Sequence, residues 1–142
     1  MKGAVIFGLD GVLANNGHRR PADGQNLHWR KQYDQNLIED DPPHQQIVQL
    51  CKQLAEVNDI VVVSERPLAV MEASDKWLKS QGLDYDVIYM KQDLFNSSPA
   101  DCKIKLVHEI MGDNWTPWLL VDCDPDVIRR FNGRYGIQGI LV

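Results

Sequence analysis

Gly3-Ala4-Val5-Ile6-Phe7-Gly8-Leu9-Asp10-Gly11 is the stretch whose reading decides the fold. Gly3 to Phe7 is almost wholly apolar, the pattern of a central strand buried on both faces of a parallel sheet; a half-wet strand would alternate. Gly8 ends the run, and an acid-glycine pair, Asp10-Gly11, follows at once, so a polar group stands just beyond the end of a buried strand. Outward from here the same kind of segment recurs: Ile60 to Val63, Asp86 to Met90, Trp118 to Val121 and Ile137 to Val142 read as four further strands. Helical patterns fill the gaps. Ile47, Leu50, Cys51, Leu54 and Val57 recur at helical spacing after a start at Asp41-Pro42-Pro43. A second helix runs from about Pro67 to Gln81 and stops at Gly82. A third has Ser98 as N-cap and Pro99 in its first turn, and passes through Ile104, Val107 and Ile110 to a stop at Gly112. Pro125 to Phe131 is a short fourth.

Strands alternating with amphipathic helices imply an α/β domain: a five-stranded parallel sheet covered on both faces, right-handed crossovers, and a site at the carboxyl ends of the strands. Residues 1–142 read as one domain, with 15–43 as an insert after the first strand. Within it Asn15 to Gln25 reads as loop and Leu27 to Ile38 as a short helix around Trp29 and Tyr33; Lys91 to Ser97 is another loop. There is no internal repeat, low-complexity segment or interdomain linker.

Composition narrows the function. Of 142 residues, 44% are hydrophobic and 25% charged, as in ordinary globular domains, and a net charge of -5 argues against a broad basic surface for duplex DNA. No apolar run approaches the length of a membrane span and the N-terminal residues lack signal-peptide sections, so a cytoplasmic location is expected. Cys51, Cys102 and Cys123 are scattered without CxxC spacing and indicate neither a disulfide framework nor a zinc site.

Three strands end in polar groups that a phosphate-handling crevice needs: Asp10 after the first, Ser64 after the second and Asp122 after the fourth, with Lys103 or Lys105 on the third helix to add positive charge. Each has a plainer explanation taken alone, since Asp10-Gly11 suits a turn and Ser64 and Asp122 suit helix caps. Their joint order at strand ends favours one site. Trp29 and Tyr33, four residues apart, read as a helix face packed on the core rather than a base-stacking platform. His18, Arg19 and Arg20 are either phosphate contacts or a solvated loop.

Phe7-Gly8-Leu9-Asp10-Gly11-Val12-Leu13-Ala14 resembles the first motif, Asp-x-Asp-Gly-Thr/Val-Leu, of the haloacid-dehalogenase-like (HAD) superfamily. Val61-Val62-Val63-Ser64-Glu65-Arg66-Pro67 is similar to its second motif, and Leu120-Val121-Asp122-Cys123-Asp124-Pro125 to its acidic fourth, with Lys105 taken as the third-motif lysine. Leu13 to Arg19, with Trp29, Tyr33 and Asp41-Pro42, looks most like the phosphatase domain of phage-type polynucleotide kinases. The resemblance implies a Rossmann-like fold with minimal or no cap domain and phosphomonoester hydrolysis. In it the first aspartate forms an aspartyl-phosphate, and the second, matched by Asp10, serves as general acid and base. Ser64, Arg66 and Lys105 would contact the phosphate. Mg²⁺ would be held by the nucleophile, the Asp10 backbone carbonyl and Asp122.

This sequence departs from the pattern at three places. Gly8 stands at the nucleophile position, Glu65 where glycine is usual, and Cys123 where a second acid is common. Mg²⁺ binding is therefore expected to be weakened, and phosphate binding to suffer from the negative charge of Glu65. A knockout of an active enzyme would change the nucleophile alone, so three departures point to natural loss. The expectation is a pseudo-phosphatase that binds a phosphorylated small molecule or nucleotide, or a protein partner. The alternatives are an active Mg²⁺-dependent phosphomonoesterase, of nucleotide or polynucleotide 3'-phosphatase type, using water as nucleophile, an engineered nucleophile knockout of such an enzyme, and a purely structural domain.

Overall fold

A computed structural model describes residues 3–19, 33–91 and 98–142. Five parallel strands, β1 (Ala4–Gly8), β2 (Asp59–Pro67), β3 (Val87–Lys91), β4 (Pro117–Asp122) and β5 (Gln138–Leu141), form one sheet in the order β3-β2-β1-β4-β5. β1 is central and buried at every position, as its unbroken apolar run requires.

Alternate side chains feed two cores. Val5 and Phe7 of β1, Ile60 and Val62 of β2, and Leu119 and Val121 of β4 pack with α2 (Gln45–Ala55) and α3 (Met71–Ser80) on one face, around Val48, Cys51, Trp77 and Leu78. Ala4, Ile6, Val61, Val63 and Leu120 pack on the other face with α4 (Pro99–Gly112) and α5 (Pro125–Phe131), through Leu106, Val107, Ile110, Val127 and Phe131. This two-sided covering follows from the strand period of two. A short helix, α1 (Gln35–Glu39), adds Ile38 to a smaller cluster with Val70, Ala73 and Met90, on which Tyr33 packs.

The caps of α4 form as the sequence indicates: the Ser98 hydroxyl accepts from the Asp101 amide at 3.1 Å, with Pro99 in the first turn. Gly82, at φ 74°, closes the segment after α3. The α2 start differs. The helix begins at Gln45 after His44, whereas Asp41 is drawn into a buried ionic network, and Val57 lies beyond the helix and is exposed. Of the helix expected over Leu27 to Ile38, the described residues include α1, while Trp29, like Arg20, lies outside them. The expected loop after β3 also lies largely outside them.

Candidate functional site

Parallel pairing sets the carboxyl ends of β1, β2 and β4 side by side: Gly8 pairs with Val63 and Phe7 with Val121. The residues just beyond are those singled out in the sequence, and Asp10, Ser64 and Asp122 are all buried at this edge. β2 there loses simple register with β3, passing from Ser64↔Met90 to Pro67↔Lys91. Within that irregularity the Arg66 amide donates to Ser64 Oγ at 3.1 Å, while Glu65 and Arg66 serve two different charged clusters.

The first cluster is built around Asp10 and Asp41. Arg66 donates from Nε to Asp10 Oδ2 at 3.1 Å and from Nη2 to Asp10 Oδ1 at 2.6 Å and Asp41 Oδ2 at 3.2 Å; its Nη1 reaches Ser74 Oγ at 2.8 Å. Arg19 donates to Asp41 through Nε at 2.8 Å and Nη2 at 2.7 Å, and to Asp10 Oδ1 at 2.9 Å. His18 Nε2 lies 2.5 Å from Asp41 Oδ1, and the Trp77 indole donates to the Asp41 carbonyl at 2.9 Å. Two carboxylates thus face two guanidinium groups, all buried. Burial alone would raise the Asp10 pKa, but the hydrogen bonds and charge of Arg66, followed by those of Arg19, outweigh it and hold the carboxyl below its usual range.

The second cluster is built around Lys103. Its ammonium lies 3.0 Å from Asp122 Oδ1 and 3.7 Å from Glu65 Oε2. Burial would lower the Lys103 pKa, yet Glu65 and then Asp122 hold it above its ordinary value. Glu65 is shifted upward, by burial first and by the negative charges of Asp10 and Asp122, against the pull of Lys103. Asp122 Oδ1 also accepts from the Asp124 amide at 2.9 Å, and Asp124 itself caps α5 by accepting from Asp126. Asp122 Oδ2 and Glu65 Oε2 are buried without a hydrogen-bond partner among the described residues.

The structure brings Lys103, not Lys105, into this crevice. Lys103 shares the buried face of α4 with Leu106, Val107 and Ile110, whereas Lys105, two residues on, is exposed. Arg66, expected as a phosphate contact, directs its donors to Asp10, Asp41 and Ser74. Sequence reasoning missed Asp41 as a site residue.

Position 8 is more than a missing side chain. A Cβ there would stand 2.6 Å from Asp122 Oδ2 and 2.9 Å from Val12 Cγ2. The Asp122 carboxylate thus occupies the ground where a nucleophile would branch from the backbone. Gly11, at φ 79°, has the Cys123 thiol 2.7 Å from its would-be Cβ, and that thiol donates to the Asp10 carbonyl at 3.5 Å. The donors present do not fit the implied Mg²⁺. A hard cation needs several free oxygen ligands. Here position 8 supplies none, Asp122 offers Oδ2 alone because Lys103 and Asp124 share its Oδ1, and a thiol faces the Asp10 carbonyl. Among the described residues no three His, Cys, Asp or Glu side chains group closely enough to hold a metal.

The sheet order, the strand-end acids and the buried helix lysine define a Rossmann-like α/β domain with a charged crevice at its strand ends. Solved structures bear out the fold. A chain in "Structure of the Pnkp1/Rnl/Hen1 RNA repair complex" is similar at a TM-score of 0.82 and 20% identity, covering 100% of this chain and 42% of that one. A second, from "Structure of Pnkp1/Rnl/Hen1 complex", gives 0.77 and 19%, with 100% and 46% covered. A haloacid dehalogenase-like family hydrolase from Streptococcus pneumoniae gives 0.68 and 14%, with 99% and 84% covered. The chain thus spans less than half the length of the first two. The family model "Polynucleotide kinase PNKP phosphatase domain" matches residues 2–140, and the chain belongs to that family. No curated protein matches it. No helix among the described residues is long and apolar enough to cross a membrane.

Proposed function

We propose that this domain is a pseudo-phosphatase, a member of a phosphatase family that has lost turnover and acts by binding. The observation that carries the reading is the fate of position 8, where Asp122 Oδ2 lies 2.6 Å from the point at which any side chain would begin. An active member needs a carboxylate there to take the phosphoryl group and split the displacement into two steps. Here the backbone offers no nucleophile, and the space has closed.

Two further features support impairment. Asp10 would have to carry a proton to assist a leaving oxygen, but Arg66 and Arg19 hold it as the anion. Arg66 and Arg19 act as positioning residues for that carboxylate. Ser64, fully buried, accepts the Arg66 amide and so holds the turn as well as any anion contact it makes. The ligand classes open to such a domain include a protein partner, in keeping with the two similar chains, each of which comes from a Pnkp1/Rnl/Hen1 complex.

The test is phosphate release from a 3'-phosphorylated oligonucleotide, a nucleoside monophosphate and an aryl phosphate, each with Mg²⁺. No release above background is expected. Turnover at ordinary enzyme rates, about 1–10³ s⁻¹, would end this reading.

A further inference from the structure

Lys103 carries one positive charge and faces two carboxylates, Asp122 at 3.0 Å and Glu65 at 3.7 Å. In an active relative the resemblance implies glycine at position 65 and a carboxylate at position 8; here the carboxylate is absent from 8 and present at 65. The two departures are opposite in charge and converge on one ammonium group. We propose that Glu65 takes the place at Lys103 left by the lost nucleophile, fills the phosphoryl pocket from within, and thereby excludes phosphate monoesters. This deepens the pseudo-phosphatase reading and rests on it.

Three observations carry the inference. First, Glu65 is not a surface residue at the rim: its side chain is 19% exposed, and Oε2 is buried. Second, among the described residues that oxygen has no hydrogen-bond partner, and its polar contact there is the charge contact with Lys103. Third, among the described residues the arginine and lysine charges of the two clusters are already matched or outnumbered by carboxylates. Arg19 and Arg66 are matched by Asp10 and Asp41, while Lys103 is outnumbered by Glu65 and Asp122. A phosphate dianion entering here would meet a pocket already one carboxylate in excess, in surroundings where like charges at contact distance cost several kcal/mol.

The experiment is a titration of the intact chain with inorganic phosphate, followed by calorimetry, for the unaltered protein, Glu65→Gly and Glu65→Gln. Lys103→Met in the Glu65→Gly background is the specificity control. Glu65→Gly is expected to bind phosphate at least about tenfold more tightly than the unaltered chain, the scale of removing one like charge. Glu65→Gln, which keeps the volume and removes the charge, is expected to fall between them. The Lys103 substitution is expected to abolish the gain. If Glu65→Gly does not fold, the comparison with Glu65→Gln decides. Equal binding by the unaltered chain and the Glu65 variants, or no binding by any of them, would overturn the inference. Turnover by the unaltered chain would instead bring down the pseudo-phosphatase reading; no turnover with unimpeded phosphate binding would remove only the role given to Glu65.

Discussion

Two buried charged clusters lie at the same sheet edge and differ in one respect. Around Asp10 and Asp41, two carboxylates meet two guanidinium groups, and Arg66 spends its donors on Asp10, Asp41 and Ser74. Around Lys103, two carboxylates share one ammonium group and two of their oxygens lack hydrogen-bond partners among the described residues. A balanced network stabilises or at least tolerates burial, because desolvation is offset by short, charge-assisted bonds. In the unbalanced one burial first, and then the neighbouring carboxylates, raise the Glu65 pKa against the pull of Lys103. Position 8 borders the unbalanced cluster, through Asp122 Oδ2 at 2.6 Å from its would-be Cβ.

The comparison is broken most forcefully at Asp41. Asp41→Ala removes the common partner of His18, Arg19 and Arg66 and leaves two buried guanidinium groups to share Asp10. A loss of about 3–5 kcal/mol is expected, as for breaking a buried ion pair from one side. Urea unfolding measures it. A loss below about 1 kcal/mol, the scale of an exposed pair, would show that the balanced cluster is not a structural unit.

Gly8→Ala probes the other cluster. The new Cβ meets Asp122 Oδ2 and Val12 Cγ2, and Asp122 is fixed by Lys103 and Asp124, so it yields only by giving up those bonds. The expected cost is about 1–3 kcal/mol, the range for overpacking. Repeating the change in an Asp122→Ala background should reduce it by at least about 0.5 kcal/mol, since residues in contact are non-additive. An additive result would mean that Asp122 is not what closes position 8.

Much of this was readable from the chain. The unbroken apolar run before Gly8 matches a doubly covered central strand, and Asp10, Ser64 and Asp122 are each buried beyond the ends of β1, β2 and β4. The choice between Lys103 and Lys105 was decidable too. Lys103 stands three, four and seven residues before Leu106, Val107 and Ile110, in phase with the buried face, and that phase was a better guide than motif spacing. Asp41 was not decidable in the same way. An acid before Pro42-Pro43 looks like a helix start, and its real partners, Arg19 and Arg66, lie 22 and 25 residues away along the chain. Nor does any local signal say that Asp122 would move into the ground of position 8, because that contact depends on packing between β1 and β4.

The smallest effect expected is also the one that separates the clusters by sign. Asp10, bordered by Arg66, Arg19 and the Asp41 carboxylate, has a folded pKa below its unfolded one. Its stabilising contribution is complete above the unfolded aspartate value of about 3.9 and is lost as pH falls through the folded value. Glu65 faces Lys103 on α4, Asp122 on β4, Asp10 beyond β1 and Tyr33 before α1, and its folded pKa is raised. Its ionisation is therefore resisted by folding, and it lowers stability as pH rises from the unfolded glutamate value of about 4.3 through the folded value. Glu65→Gln removes that titration. Urea midpoints should then show the variant more stable than the unaltered chain at neutral pH, with the difference shrinking as pH falls and gone below about 4.3. Asp10→Asn should show the reverse, a deficit at neutral pH that narrows in acid. Two curves that run parallel would mean that the two clusters carry their charge alike, and the contrast between them would fail.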